Sequence, residues 1–202
     1  GTFAPLSAME LSQIDANRAH LEEVGLQAIR EGKVAAVLLA GGQGTRLGFD
    51  KPKGMYNIGV TRELYIFECL INNVMEIVKK AGAWIPFYIM TSDKNYDDTT
   101  AFLKEKNYFG YNAEYIHFFK QEMAPSVDYN GKLLMEAPDH LSLSPNGNGG
   151  WFSSLCRYGY DKQMKEAGVE WLTAFAVDNV LQRINDPAFV GAVIDSGCDC
   201  GG

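Results

Sequence analysis

The feature that most constrains this chain is a short apolar run, residues 33–40 (KVAAVLLA), that ends directly in a glycine-rich stretch, 41–48 (GGQGTRLG), with Pro52-Lys53-Gly54 close behind. A run of this length without polar alternation predicts a strand buried on both faces, as in a parallel sheet. In an open parallel sheet, ligands bind beyond the carboxyl ends of the strands, where this loop emerges. Gly41, Gly42 and Gly44 let the backbone come close to a phosphate or a base, and free N–H groups in such a loop form an anion-binding nest. Thr45 lies in the same turn. Arg46 and Lys53 add permanent cations that can hold a polyphosphate and stabilise charge as it departs.

Two better-known glycine loops fail on the letters. A dinucleotide fingerprint GxGxxG needs glycine where Leu47 stands, which disfavours a nicotinamide-dependent oxidoreductase. A P-loop needs GK followed by Ser or Thr, and the chain has none.

The rest of the pattern alternates. Residues 7–31 carry apolar positions at helical spacing, and so do 64–81, where Ile66, Phe67, Leu70, Ile71 and Val74 form a wide stripe closed by Gly82. Helices are also predicted over 95–107 and 150–167. Strands are predicted over 85–91, 114–119, 171–177 and 189–195, with a short one at 132–135 after an Asn130-Gly131 turn. Strands alternating with helices specify an α/β fold: a doubly wound, mixed but mostly parallel sheet. The stretches 125–138 and 142–150 are rich in turn residues and read as active-site loops rather than linkers.

Composition narrows the function. The chain has 202 residues and a net charge of −7, a poor match for nucleic acid or an anionic membrane. An anionic ligand must therefore be held by a local pocket of backbone N–H groups, a few cations and a metal. Cys69, Cys156, Cys198 and Cys200 offer no CxxC pair, and His20, His117 and His140 have no metal or triad spacing. The aromatic cluster Tyr108, Phe109 and Tyr111 lacks interleaved basic residues, so packing rather than base stacking is its reading. With no long apolar run and no signal-peptide pattern, a cytoplasmic protein is expected.

The loop, taken with three further strings, resembles the eukaryotic-type UDP-sugar pyrophosphorylases, most closely those for UDP-N-acetylhexosamine. Leu39 to Gly54 follows that family's LxGGxGTRLGxxxPKG. Phe118-Phe119-Lys120-Gln121 with Pro125 resembles its FFxQxxxP segment. Pro145 to Gly150 resembles its PxGNGG loop, and Val177-Asp178-Asn179 its VDN. Arg46 and Leu47 are what set this loop apart from that of the UDP-glucose branch.

The resemblance implies a Rossmann-like nucleotidyltransferase type A fold, incomplete at the carboxyl-terminal side. It also implies division into an N-terminal helical segment, 1–32, and the nucleotide-binding part of a uridylyltransferase domain, 33–202. Family members continue past Asp199-Cys200-Gly201 with further sheet, a sugar-binding glutamate, a second catalytic lysine and another domain. The implied reaction converts UTP and an N-acetylhexosamine 1-phosphate to UDP-N-acetylhexosamine and pyrophosphate. The implied alternatives are a UDP-glucose or broad UDP-sugar enzyme, and a UTP-binding module without turnover. In the implied roles, Arg46 and Lys53 are catalytic. Gly41, Gly42, Gly44, Thr45, Gln121 and Gly147 bind the nucleotide, with Gln121 reading the uracil edge. Asn148 touches the sugar, and Asp178 helps hold Mg²⁺.

Overall fold

A computed structural model describes residues 8–202. Its elements run α1 (Leu11–Arg30), β1 (Val34–Leu39), α2 (Ile66–Ala81), β2 (Phe87–Thr91), α3 (Tyr96–Glu105), β3 (Ile116–Lys120), β4 (Met123–Pro125), β5 (Met135–Ala137), β6 (His140–Leu141), β7 (Leu143–Pro145), α4 (Trp151–Arg157), α5 (Tyr160–Glu166), β8 (Trp171–Ala176) and α6 (Pro187–Asp195). Four strands form one sheet in the order β3-β2-β1-β8, and every pairing in it is parallel. Two small antiparallel pairs, β4–β7 and β5–β6, stand outside it.

The central strand β1 is buried on both faces, as its unbroken apolar run requires. Val34, Ala36 and Leu38 face a core built with Ile29 of α1, Phe67, Leu70 and Val74 of α2, Leu103 of α3 and Val190 of α6. Ala35 and Val37 face the other side with Tyr88, Met90 and Phe119, closed by Leu155 of α4 and Met164 of α5. Each large side chain removed from water contributes about 1.5–3 kcal/mol. Helices on both faces make the sheet doubly wound, as expected from the alternation. Its loops leave β1, β2 and β3 on one side, and these loops carry the candidate site.

Helix α2 shows how local sequence sets an element. Glu68 reaches back to the Tyr65 N–H at 3.4 Å, and Gly82 at φ 72° closes the far end. The apolar stripe between them faces the sheet.

Several expectations are corrected. Residues 189–195 belong to helix α6, not to a fifth strand. Asp186 accepts a hydrogen bond from the Ala188 N–H at 2.9 Å, and Pro187 occupies the first turn, where its missing N–H costs nothing. A short apolar run does not by itself separate a strand from a buried helix; here the cap and proline decide. Helix α6 crosses α1 closely: a Cβ on Gly191 would lie 1.8 Å from the Leu21 carbonyl oxygen.

The helix expected over 150–167 is two helices, because Gly159 turns to φ 76° between them. The helix expected over 95–107 ends as α3 at Glu105, and Asn107, Tyr108 and Phe109 follow with positive φ. The strand expected at 132–135 is displaced to Met135–Ala137. Asp128 accepts from the N–H groups of Asn130 and Lys132 and holds the turn at Asn130-Gly131, across which Val127 and Leu133 form an isolated antiparallel bridge. The helix expected over 7–31 begins at Leu11, and position 7 lies outside the described residues. No helix among the described residues is long and apolar enough to cross a membrane.

Candidate functional site

The glycine loop leaves β1 and folds back on itself. The Gly44 N–H donates to the Lys51 carbonyl at 2.9 Å, and the Lys53 N–H donates to the Gly42 carbonyl at 3.3 Å. Gln43 and Pro52 therefore face each other, and Lys53 returns to the base of the loop. Thr45 and Leu47 bound a single 3₁₀ turn, with Arg46 in its middle and exposed to solvent. Arg46 forms no ion pair among the described residues. The backbone N–H groups of Gly41, Gly42 and Gln43 likewise donate to no acceptor among the described residues. The loop thus offers unspent donors and one uncommitted cation, the requirement for holding an anion.

Gly41 lies directly on Gln121. A Cβ at position 41 would sit 2.6–2.9 Å from the Gln121 amide, inside contact distance, so glycine is what allows this approach. Gln121 follows β3 and is 7% exposed, and its own N–H donates to the Thr91 carbonyl at 2.8 Å. Its amide can both donate and accept, and it is presented at the ends of three adjacent strands. Lys120 beside it is engaged elsewhere. It bonds Asp93 at 3.1 Å, which raises its pKa above the ordinary lysine value.

The family resemblance groups Gly147 and Asn148 with Gln121, and the backbone ties their segment to the same corner. β4 pairs with β7 so that Met123 opposes Pro145. The Asn146 N–H then donates to the Glu122 carbonyl at 3.0 Å. The segment beginning at Gly147 (φ 80°) is thereby tied to the residue after Gln121. Glu122 also receives Arg157 at 2.9 Å, and its N–H donates to Ser154 Oγ at 3.1 Å. These bonds fix α4 to the same corner. Gly147 and Asn148 themselves are exposed.

On the other side of the loop, Lys53 pairs with Asp178, just past the end of β8. The Lys53 side chain is largely covered, while Asp178 is more than half exposed. The turn after Asp178 is tethered from α2: Asn73 Nδ2 donates to the carbonyls of Val180 at 3.1 Å and Gln182 at 3.2 Å. Asn95, at the head of α3, donates to the Ala40 carbonyl at the root of the glycine loop. Sequence reasoning missed both asparagines. Each sits in or beside a helical pattern where an asparagine reads as surface or cap, and only the fold shows what its amide meets.

Among the described residues no group of three or more His, Cys, Asp or Glu could hold a metal by itself. Asp178, with Oδ1 on Lys53, presents a carboxylate at this corner. A carboxylate suits a hard cation that takes its other oxygens from water and bound phosphate, as Mg²⁺ does. Clefts of about 290 Å³ beside α2 and about 620 Å³ along the free edge of β8 include no residue of the glycine loop.

Comparison with known proteins follows the same lines. The family model described as UTP–glucose-1-phosphate uridylyltransferase matches residues 5–201. The chain is 42% identical over 178 residues to the UDP-N-acetylglucosamine pyrophosphorylase of Saccharomyces cerevisiae, covering 86% of this chain and 37% of that protein. It superposes on the crystal structure of the uridine diphosphate N-acetylglucosamine pyrophosphorylase of Trypanosoma brucei with a TM-score of 0.85 and 30% identity, over 93% of this chain and 40% of that one. A UDP-glucose pyrophosphorylase from Leishmania major shares the fold at a TM-score of 0.69 and 16% identity, over 86% of this chain and 35% of that one. The chain thus spans well under half the length of these relatives.

Proposed function

The chain belongs to the UTP–glucose-1-phosphate uridylyltransferase family, and from that membership we propose that it forms the nucleotide-binding part of a uridylyltransferase acting on an N-acetylhexosamine 1-phosphate. The observation that carries the proposal is the convergence at the strand ends. Gly41 rests on Gln121, and Lys53 stands beside the loop paired with Asp178. Base recognition and phosphate chemistry thereby come onto one ledge.

In the reaction, an oxygen of the sugar phosphate attacks the α-phosphorus of UTP in line. The new P–O bond forms as the bond to the β-phosphate oxygen breaks, and pyrophosphate leaves with the electron pair. Little covalent work falls to the protein, so positioning and charge stabilisation dominate. The free N–H groups of Gly41, Gly42 and Gln43 hold phosphate oxygens or the uracil. Gln121 reads the uracil edge with its donor and its acceptor, and Gly147 lies on the other side of the base. Arg46 and Lys53 meet the β- and γ-phosphates and stabilise the negative charge on departing pyrophosphate. Asn148, on the exposed side of Gly147, meets the sugar.

Asp178 would hold Mg²⁺, which when bound neutralises phosphate charge as a Lewis acid. Lys53 now bonds that carboxylate; with the cation in place Asp178 would serve it, and Lys53 would be free for phosphate.

The N-acetyl sugar is favoured over glucose by Arg46 and Leu47, which match that branch, and by the names of the relatives above 30% identity. A pyrophosphorolysis assay tests both parts. With pyrophosphate, the protein should release UTP from UDP-N-acetylhexosamine faster than from UDP-glucose. Equal or reversed rates would move the assignment to the UDP-glucose branch, and no UTP binding in calorimetry would remove the uridine site altogether.

A further inference from the structure

On the uridine-nucleotide reading above, we infer that Asn95 is a positioning residue: it fixes the glycine loop against Gln121 and so sets the affinity for UTP. Asn95 is completely buried, yet it lies in no motif of the sequence. Its amide oxygen and both of its N–H donors are engaged at the ends of two strands. Oδ1 accepts from the Ser92 N–H at 2.7 Å, just beyond β2. Nδ2 donates to the Ala40 carbonyl at 3.0 Å and leans toward the Gly42 carbonyl at 3.4 Å, at the exit of β1. Those two carbonyls flank Gly41, the residue that rests on Gln121.

The consequence follows from peptide planarity. In a trans peptide the C=O and the next N–H point in opposite directions. Holding the Ala40 and Gly42 carbonyls toward Asn95 therefore turns the N–H groups of Gly41 and Gln43 away from it. These N–H groups have no acceptor among the described residues. Asn95 thus orients two donors before any ligand arrives, which removes ordering cost from binding. Only an amide supplies an acceptor for Ser92 and two donors for the loop at one position.

The chemistry separates this role from simple helix support. Asn95→Asp keeps the acceptor for the Ser92 N–H but replaces the donating group with an oxygen that faces two carbonyls. Asn95→Ser, which still suits the head of a helix, keeps at most one donor. UTP binding by calorimetry should weaken about tenfold or more in both variants, as expected for losing buried hydrogen bonds. In turnover the loss should appear in KM for UTP, with KM for the sugar phosphate and kcat within about twofold. Serine should be the milder of the two.

Amide hydrogen exchange without ligand gives the independent readout. Residues 41–44 should exchange about tenfold faster in Asn95→Asp, while β1 itself stays protected. Unchanged exchange there overturns the clamp, and so does UTP affinity equal to that of the unaltered protein. If the unaltered protein binds no UTP, the uridine reading falls, and with it the role in affinity; the exchange result still decides whether Asn95 holds the loop. If Asn95→Asp does not fold, Asn95→Ser carries the same two measurements.

Discussion

The two halves of the candidate site are built differently. The half proposed to bind the nucleotide stands on the sheet: Gly41 and Gln121 lie just beyond strand ends, and Lys53 sits where the glycine loop folds back on itself. The half that carries Gly147 and Asn148 stands on a small antiparallel excursion, residues 123–147, joined by short pairings. Its apolar side chains Val127, Leu133, Met135 and Leu143 are exposed, and Tyr129 is fully so. The difference is one of support. A sheet buried on both faces fixes the atoms proposed to read the base, whereas the loop proposed to meet the sugar is fixed mainly by its bonds to Glu122. One half is pre-organised by packing, the other by a few hydrogen bonds.

Four tests would break or sharpen that contrast. The largest effect is expected at Lys53, where Lys53→Ala should lower kcat about a hundredfold or more, since its contact strengthens as pyrophosphate charge develops. A rate assay at saturating substrate reads this, and an unchanged kcat would take Lys53 out of the mechanism. Next is Asp178→Asn, which should raise the Mg²⁺ concentration for half-maximal rate about tenfold or more by removing the carboxylate proposed to hold it. A magnesium titration that does not shift would remove the metal from this corner.

The seam between loop and Gln121 comes third. Gln121→Ala and Gly41→Ala should each reduce the preference for UTP over CTP about tenfold, because an unpaired base edge is what such a site rejects. Gly42→Ala is the internal control. No atom lies within 4 Å of a Cβ there, so selectivity should hold. If Gly42→Ala damages selectivity as much as Gly41→Ala, the seam is not the reader.

The smallest effect is expected on the excursion. Asn148→Ala should raise KM for the sugar phosphate a few-fold, with UTP affinity intact. Stability should change by less than about 0.5 kcal/mol, as for other exposed positions. A large loss of stability would show this half to be packed after all.

Much of this contrast was legible in the chain itself. Residues 33–40 read as a doubly buried strand, and β1 is one. The glycine loop read as a phosphate cradle, and its hairpin closure leaves the expected N–H groups unspent. Gln121 read as a partner of that loop only through its resemblance, and the fold places its amide on Gly41. The misreadings share a cause. Residues 189–195 are as apolar as a strand, and the cap at Asp186 and Pro187 that makes them a helix lies upstream of the apolar run. The single helix drawn over 150–167 overlooked that one glycine at positive φ suffices to turn the chain. Asn73 and Asn95 carried no signal because an amide's value depends on what it meets.

By itself, the sequence determined the α/β alternation, the strand that enters the glycine loop and the residue types that can hold a nucleotide. Those follow from hydrophobic period and from the chemistry of each side chain, which are local. Only the tertiary structure decided that Gly41 touches Gln121, that Lys53 meets Asp178 and that Asn95 grips the loop root. These pairs lie from 53 to 125 residues apart along the chain. No local period encodes such meetings; they exist because parallel strands, each returned by a helix, bring their carboxyl ends to one side.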